Sequence, residues 1–203
     1  GEVGALYADR RVEKNDEGYI PYNPGQTIAT ENTTPFKIGT VNPKWNLGWR
    51  HGFNYKGINA SVMFTARIGG NVISKTQATL DRFGVSKASA DAREAGYVML
   101  GNIKMEPQDY YGTIYDLDSY YVYSATNIRL QEASIGYTLP NKWFGNVVKN
   151  VNVSVYGTNL WMIYNKAPYD PELTASTGTF GQGYDYFMLP SSRTYGFSLK
   201  FGF

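Results

Sequence analysis

The 203 residues leave room for one substantial domain or two small ones, and a formal net charge of +2 is too balanced for a surface that tracks nucleic-acid phosphates. With no cysteine the chain can hold neither a disulfide framework nor a thiol or cysteine-based metal site. No stretch approaches the roughly 18 apolar residues of a membrane helix, but barrel strands carry lipid-facing residues only at every second position, so a mean hydropathy of −0.38 does not exclude a membrane.

The first residue is Gly1, without an initiator Met or an apolar leader, and the expectation is the tail of a longer protein. Residues 1–44 are polar and turn-rich, punctuated by Asp16, Glu17, Gly18, Pro21, Pro24 and Gly25. A short strand fits residues 4–11. The acidic run at 15–17 lacks the alternating spacing of a calcium loop and reads as a solvated loop.

Residues 45–56 then alternate cleanly. Trp45, Leu47, Trp49, His51, Phe53 and Tyr55 share one face, and Asn46, Gly48, Arg50, Gly52, Asn54 and Lys56 share the other. Four large aromatics on one strand face suit a bilayer, where Trp and Tyr collect at the interfaces. Gly57 marks a tight turn, after which Ile58, Ala60, Val62, Phe64, Ala66 and Ile68 alternate with Asn59, Ser61, Met63, Thr65 and Arg67. The pattern predicts a hairpin.

Residues 70–122 lose the alternation. A helix is predicted over Lys87–Ala95, with Ser86 as N-cap and Gly96 just past its end. The remainder is acidic and aromatic, with Tyr110, Tyr111, Tyr115, Tyr120 and Tyr121. Outer-membrane barrels put short turns on the periplasmic side and long loops outside; by that rule the turn at 56–58 is periplasmic and 70–122 extracellular. A further strand spans 127–139, where a change of parity predicts either a β-bulge near Gln131–Glu132 or a strand that begins later. Residues 140–150 form a short connection, 151–164 a strand of mixed alternation, and 165–192 a second long loop.

The last ten residues alternate without a fault. Tyr195, Phe197, Leu199, Phe201 and Phe203 are large and apolar; Thr194, Gly196, Ser198, Lys200 and Gly202 are small or polar. A final strand closing on an apolar-face Phe is how outer-membrane barrels finish, so these five residues are the expected barrel-assembly signal. Five strands cannot close, because the smallest barrels have eight. An open edge cannot sit in hydrocarbon, and the sheet therefore needs partner strands.

Little here suggests catalysis. His51 is the only histidine, so any triad or multi-histidine metal site would have to be built around it. It lies on the aromatic parity and reads as an interfacial ring. The glycines of 178–183 lack the strand-to-helix setting and the Lys-Ser/Thr of a phosphate loop. Asp170 and Glu172 offer a carboxylate pair in a long loop and read as packing groups. No enzyme activity, cofactor or metal is expected. Tyr110, Tyr111, Tyr184 and Tyr186 are candidate ligand or lid contacts, since aromatic faces stack on sugar rings; the alternative is that they pack the loops.

Several ordered motifs resemble the SusC/RagA group of TonB-dependent transporters. They are Ile38-Gly39-Thr40-Val41-Asn42-Pro43-Lys44-Trp45, Phe53-Asn54-Tyr55-Lys56-Gly57, Arg67-Ile68-Gly69-Gly70, Arg129-Leu130 with Ser134-Ile135-Gly136-Tyr137-Thr138-Leu139-Pro140, Tyr156-Gly157-Thr158-Asn159-Leu160-Trp161, Tyr169-Asp170-Pro171-Glu172 and Arg193-Thr194-Tyr195. The likeness covers about 38–203. It implies an all-β fold: the last five to seven strands of a 22-stranded transmembrane barrel with long extracellular loops, the plug and N-terminal strands being absent. It further implies outer-membrane import of oligosaccharides or peptides in a Bacteroidetes-type cell. The implied partners are outer-membrane lipid, a SusD-like surface lipoprotein, and TonB, which would act through the missing N-terminal part. The competing expectations are a secreted carbohydrate-binding β-sandwich and a small stand-alone barrel. A sandwich would bury the faces of 45–56 and 195–203 against a second sheet.

Overall fold

The structure is a computed structural model, described here for residues 2–101, 103–144, 148–173, 175, 178 and 181–202. In chain order the strands and helices are β1 (Ala5–Val12), β2 (Thr30–Thr40), β3 (Trp45–Tyr55), β4 (Ile58–Ile68), β5 (Asn71–Ser74), α1 (Lys75–Arg82), α2 (Lys87–Ala95), β6 (Val98–Leu100), β7 (Ile103–Met105), α3 (Pro107–Ile114), β8 (Val122–Ser124), β9 (Asn127–Thr138), β10 (Lys149–Asn165), β11 (Tyr184–Asp185) and β12 (Thr194–Gly202). Among the described residues strand takes up 49% and helix 17%, so the all-β expectation holds and the helices are an insertion. The chain forms two compact units: one of 43–69, 125–170 and 189–203, the other of 1–42, 70–124 and 171–188.

The first unit is an antiparallel meander in the order β12-β10-β9-β4-β3. Its five strands are the five read from alternation. β3 and β4 pair without a slip, from Trp45 opposite Ile68 to Tyr55 opposite Ile58. A two-residue turn joins them, with Lys56 at φ 47° and Gly57 at φ 89°. Positive φ at both positions is the geometry whose twist matches that of the flanking strands. A Cβ on Gly57 would lie 2.9 Å from the Thr138 carbonyl oxygen, so the turn also needs glycine for space.

The bulge expected near Gln131–Glu132 is present. Along β4, Met63 faces Glu132 while Phe64 faces Leu130, which leaves Gln131 as the extra residue. β10 compensates on its own side, with Thr158 opposite Glu132 and Trp161 opposite Leu130. Asn159 takes φ 52° there. Two bulges side by side restore a common face, which explains why each strand alone reads as out of phase.

In the second unit, residues 1–42 contain more than the one short strand expected. β1 pairs with β2 over most of both strands. β2 escapes a reading by alternation because Pro35 interrupts it. The register slips between Ala8 and Arg10 while the partner runs from Phe36 to Asn32, so Pro35 sits in an irregularity, where proline is tolerated. The predicted helix is α2. Its N-cap Ser86 accepts from the Ser89 amide at 3.0 Å, and Gly96 ends it at φ 75°. α1 and α3 are only eight residues each and carry no long apolar stripe, which hides them from periodicity.

Three small cores hold this unit: Val12, Ile28, Leu100, Met105 and Leu117; Ala78, Ala92, Tyr111, Ile114 and Tyr121; and Leu6, Val41 and Ile73. Buried Asp109 joins α3 to the segment after β1, accepting from Tyr22 Oη and the Gly25 amide, both at 2.8 Å. Thr113 Oγ1 accepts from the Ile28 amide at 2.9 Å. Such bonds offset the cost of burying polar groups.

Candidate functional site

The cross-strand register sorts the meander into two faces. Following the pairs, His51 meets Val62, Val62 meets Ala133, Ala133 meets Gly157 and Gly157 meets Tyr195. Phe53, Ala60, Ile135, Val155 and Phe197 form the neighbouring row. The face is apolar from edge to edge and broadly exposed, with Trp45 at 66%, Trp49 at 58%, Ile135 at 57%, Trp161 at 59% and Phe197 at 64%. His51 stacks on Trp49 at 5.7 Å between centroids, on the aromatic face where its parity put it. An exposed apolar surface of this kind in an aqueous protein marks an interaction site or a membrane.

The opposite face is polar and internally bonded. Arg50 pairs with Glu132 at 2.8 Å, Ser61 with Ser134 at 2.8 Å, and Thr138 Oγ1 accepts from both Asn59 and Asn152 at 3.0 Å. Asn46 stands opposite Arg67, Asn54 opposite Asn59, and Thr65 opposite Gly48. Asn46, Arg50, Asn54, Asn59, Ser61, Thr65 and Arg67, which share the polar parity of 45–68, all lie on this side.

Arg129 is the most heavily engaged of these groups. Its guanidinium donates to Asp170 Oδ1 at 2.7 Å and Oδ2 at 3.2 Å, and to Asn159 Oδ1 at 3.2 Å. The side chains of Arg129 and Asp170 are only 5% and 8% exposed. A planar fork matched to a carboxylate is the geometry arginine offers and lysine does not. The Asp170 of the expected loop-packing pair therefore ties the chain after β10 to β9. Sequence spacing gave no sign of its partner.

The candidate tyrosines fall into different settings. Tyr111 is 8% exposed in the core with Ala78 and Ile114, and Tyr110 packs on it edge-on at 5.0 Å. Tyr184 packs against Leu6, Val41 and Ile73. Tyr186 is 63% exposed. Burial pushes the Tyr110 phenol up to about 12 and raises those of Tyr111 and Tyr184 as well, so all three stay neutral as packing groups. Of the four, only Tyr186 presents most of its ring. Tyr195, Phe197, Leu199 and Phe201 are all exposed along β12; Phe203 lies outside the described residues, as does part of the glycine stretch 178–183. Among the described residues no group of histidine, aspartate or glutamate side chains is arranged to hold a metal ion.

No family model matches the chain. It is 27% identical over 172 residues to TonB-dependent receptor P3 of Formosa agariphila, a match that covers 81% of this chain and 17% of the receptor. Its fold matches the RagAB peptide importer in the "open-open" state with a TM-score of 0.64 at 20% identity, over 98% of this chain and 22% of the other. In the "closed-closed" state the TM-score is 0.57 at 18% identity, over 94% of this chain and 22% of the other. The chain thus spans about a fifth of the length of these relatives. It is an open segment of barrel sheet, similar in sequence to a TonB-dependent receptor and in fold to the SusC/RagA type of barrel.

Proposed function

We propose that this chain is the C-terminal barrel portion of an outer-membrane transporter, driven by TonB, that imports oligosaccharides or peptides together with a SusD-like surface lipoprotein. The observation that carries the reading is the two-faced meander. Five strands keep an aromatic, exposed face and a bonded polar face across the register shifts of β9 and β10. In a barrel the first face meets lipid and the second lines the lumen. The receptor and importer to which the chain is similar support the same reading. Tyr186 is the candidate ligand or lid contact of the four tyrosines, with Tyr110, Tyr111 and Tyr184 holding the insertion together. Tyr195, Phe197, Leu199, Phe201 and Phe203 serve as the terminal assembly signal.

A secreted sandwich is disfavoured by the exposure of Trp45, Trp49 and Phe197, since a second sheet would cover them. A small stand-alone barrel is disfavoured by the two open edges, β3 and β12.

Fractionation of the source cells tests the proposal. The protein is expected in the outer membrane, released by detergent and not by high salt. Recovery in the soluble or salt-released fraction would overturn it.

A further inference from the structure

A cavity of about 640 Å³ opens in the helical insertion, walled by the end of α1, the α1–α2 turn, α2 and the first turn of α3. That volume is typical of pockets for small organic ligands, which run to about 300–1,000 Å³. The charged groups on its walls are Asp81, Arg82, Arg93 and Glu106. Asp81 belongs to the frame: it is buried and accepts from Gln77 Nε2 at 2.7 Å and from Ser86 Oγ. The other three line the cavity without an ion-pair partner among the described residues.

Arg82 lays its guanidinium over the Tyr115 ring at 4.0 Å. The cation–π contact holds the group in place and uses none of its N–H donors; no carboxylate pairs with it among the described residues. Arg93 is braced by one donated bond to the Gly84 carbonyl oxygen at 2.6 Å, and it too has no carboxylate partner among the described residues. Gly84 makes that approach possible, because a Cβ there would lie 2.3 Å from the guanidinium. Glu106 caps no amide of α3 and forms no ion pair among the described residues. Two braced guanidiniums without a protein carboxylate offer fork donors to an incoming one. Phe83, which is exposed, supplies ring surface on the same walls.

We propose that this cavity recognises a small carboxylate-bearing ligand, with Arg82 and Arg93 taking the carboxylate and Glu106 accepting a hydrogen bond from the ligand's other end. A peptide C-terminus and a uronic-acid sugar carry the same chemistry. The inference rests on the importer reading and adds a charge requirement to it.

Calorimetric titration of the full-length detergent-purified protein tests it, with trialanine against trialanine amide and tetragalacturonate against maltotetraose. One acid is expected to bind at least tenfold tighter than its neutral counterpart, and which one does so identifies the source. Arg82→Gln should abolish that preference, and Arg82→Lys should keep part of it. Binding of both members of each pair within twofold, no binding of either acid, or an unchanged preference in Arg82→Gln would overturn the inference. Cell fractionation of the same variants judges the importer reading separately. Outer-membrane protein without acid preference removes only the cavity's role, whereas protein absent from that membrane removes the importer reading.

Discussion

At the scale of single residues, the Arg129–Asp170 pair is the group on which most depends. Removing one partner of a buried ion pair costs about 3–5 kcal/mol, because the survivor is left charged and unpaired. Asp170→Asn is therefore expected to destabilise the folded protein by an amount in that range, measured by urea unfolding in lipid vesicles. An exposed pair such as Lys87–Asp91, with side chains 87% and 59% exposed, should give well under 1 kcal/mol. If Asp91→Asn cost as much as Asp170→Asn, burial would not be what sets the value. The tyrosine core makes a second residue-level prediction. Burial raises the folded-state value of Tyr110 to about 12, against about 10 in an unfolded chain. The unfolded state then loses its proton first as pH rises, so the stability is complete below about pH 10 and falls through pH 12. Protease resistance of the helical insertion should decline over that window, and Tyr110→Phe should flatten the decline.

At the scale of elements, alternation exposes some parts of this fold and conceals others. β3, β4 and β12 are legible because each keeps one parity from end to end, and a two-faced sheet requires that of any unbulged strand. β9 and β10 are legible as strands, but their side assignment needs the paired bulges at Gln131 and Asn159, a contact between strands that no single segment displays. α2 is legible through its caps, Ser86 and Gly96. α1 is also capped, Ser74 accepting from the Gln77 amide at 3.0 Å, but Ser74 ends the four-residue β5 inside a stretch without alternation, so neither element is legible. Of the site, the polar row on β3 and β4 was readable by position. The partner of Asp170 and the seat of the Arg82 guanidinium on the Tyr115 ring depend on folding and were not. The faces themselves can be tested by charge insertion. Val62→Arg places a cation on the apolar face, where arginine near the bilayer midplane costs about 2–4 kcal/mol. Thr65→Arg places it beside the polar row and should cost far less. Equal losses in vesicle refolding would sink the assignment.

For the whole molecule the question is which end of the meander faces the cell exterior. The β3–β4 turn has two residues, and the return from β9 to β10 leaves the sheet at the same end, where the Leu139 amide donates to the Val151 carbonyl at 2.7 Å. The connections from β4 to β9 and from β10 to β12 leave from the other end and are long, running from Ile68 to Asn127 and from Asn165 to Thr194. Outer-membrane barrels place their short turns in the periplasm and their long loops outside, so the two ends should differ in access from the medium. These 203 residues contain no cysteine, so in a protein cleared of any cysteine elsewhere a single introduced thiol reports on its own position. Lys56 lies exposed in the short turn and Glu94 exposed on α2. In intact cells a membrane-impermeant maleimide should label Glu94→Cys and spare Lys56→Cys, and opening the outer membrane should make both reactive. Labelling of Lys56→Cys alone in intact cells would invert the orientation. Labelling of both would mean that the sheet does not span a membrane, and the aromatic face would then need a protein partner in place of lipid.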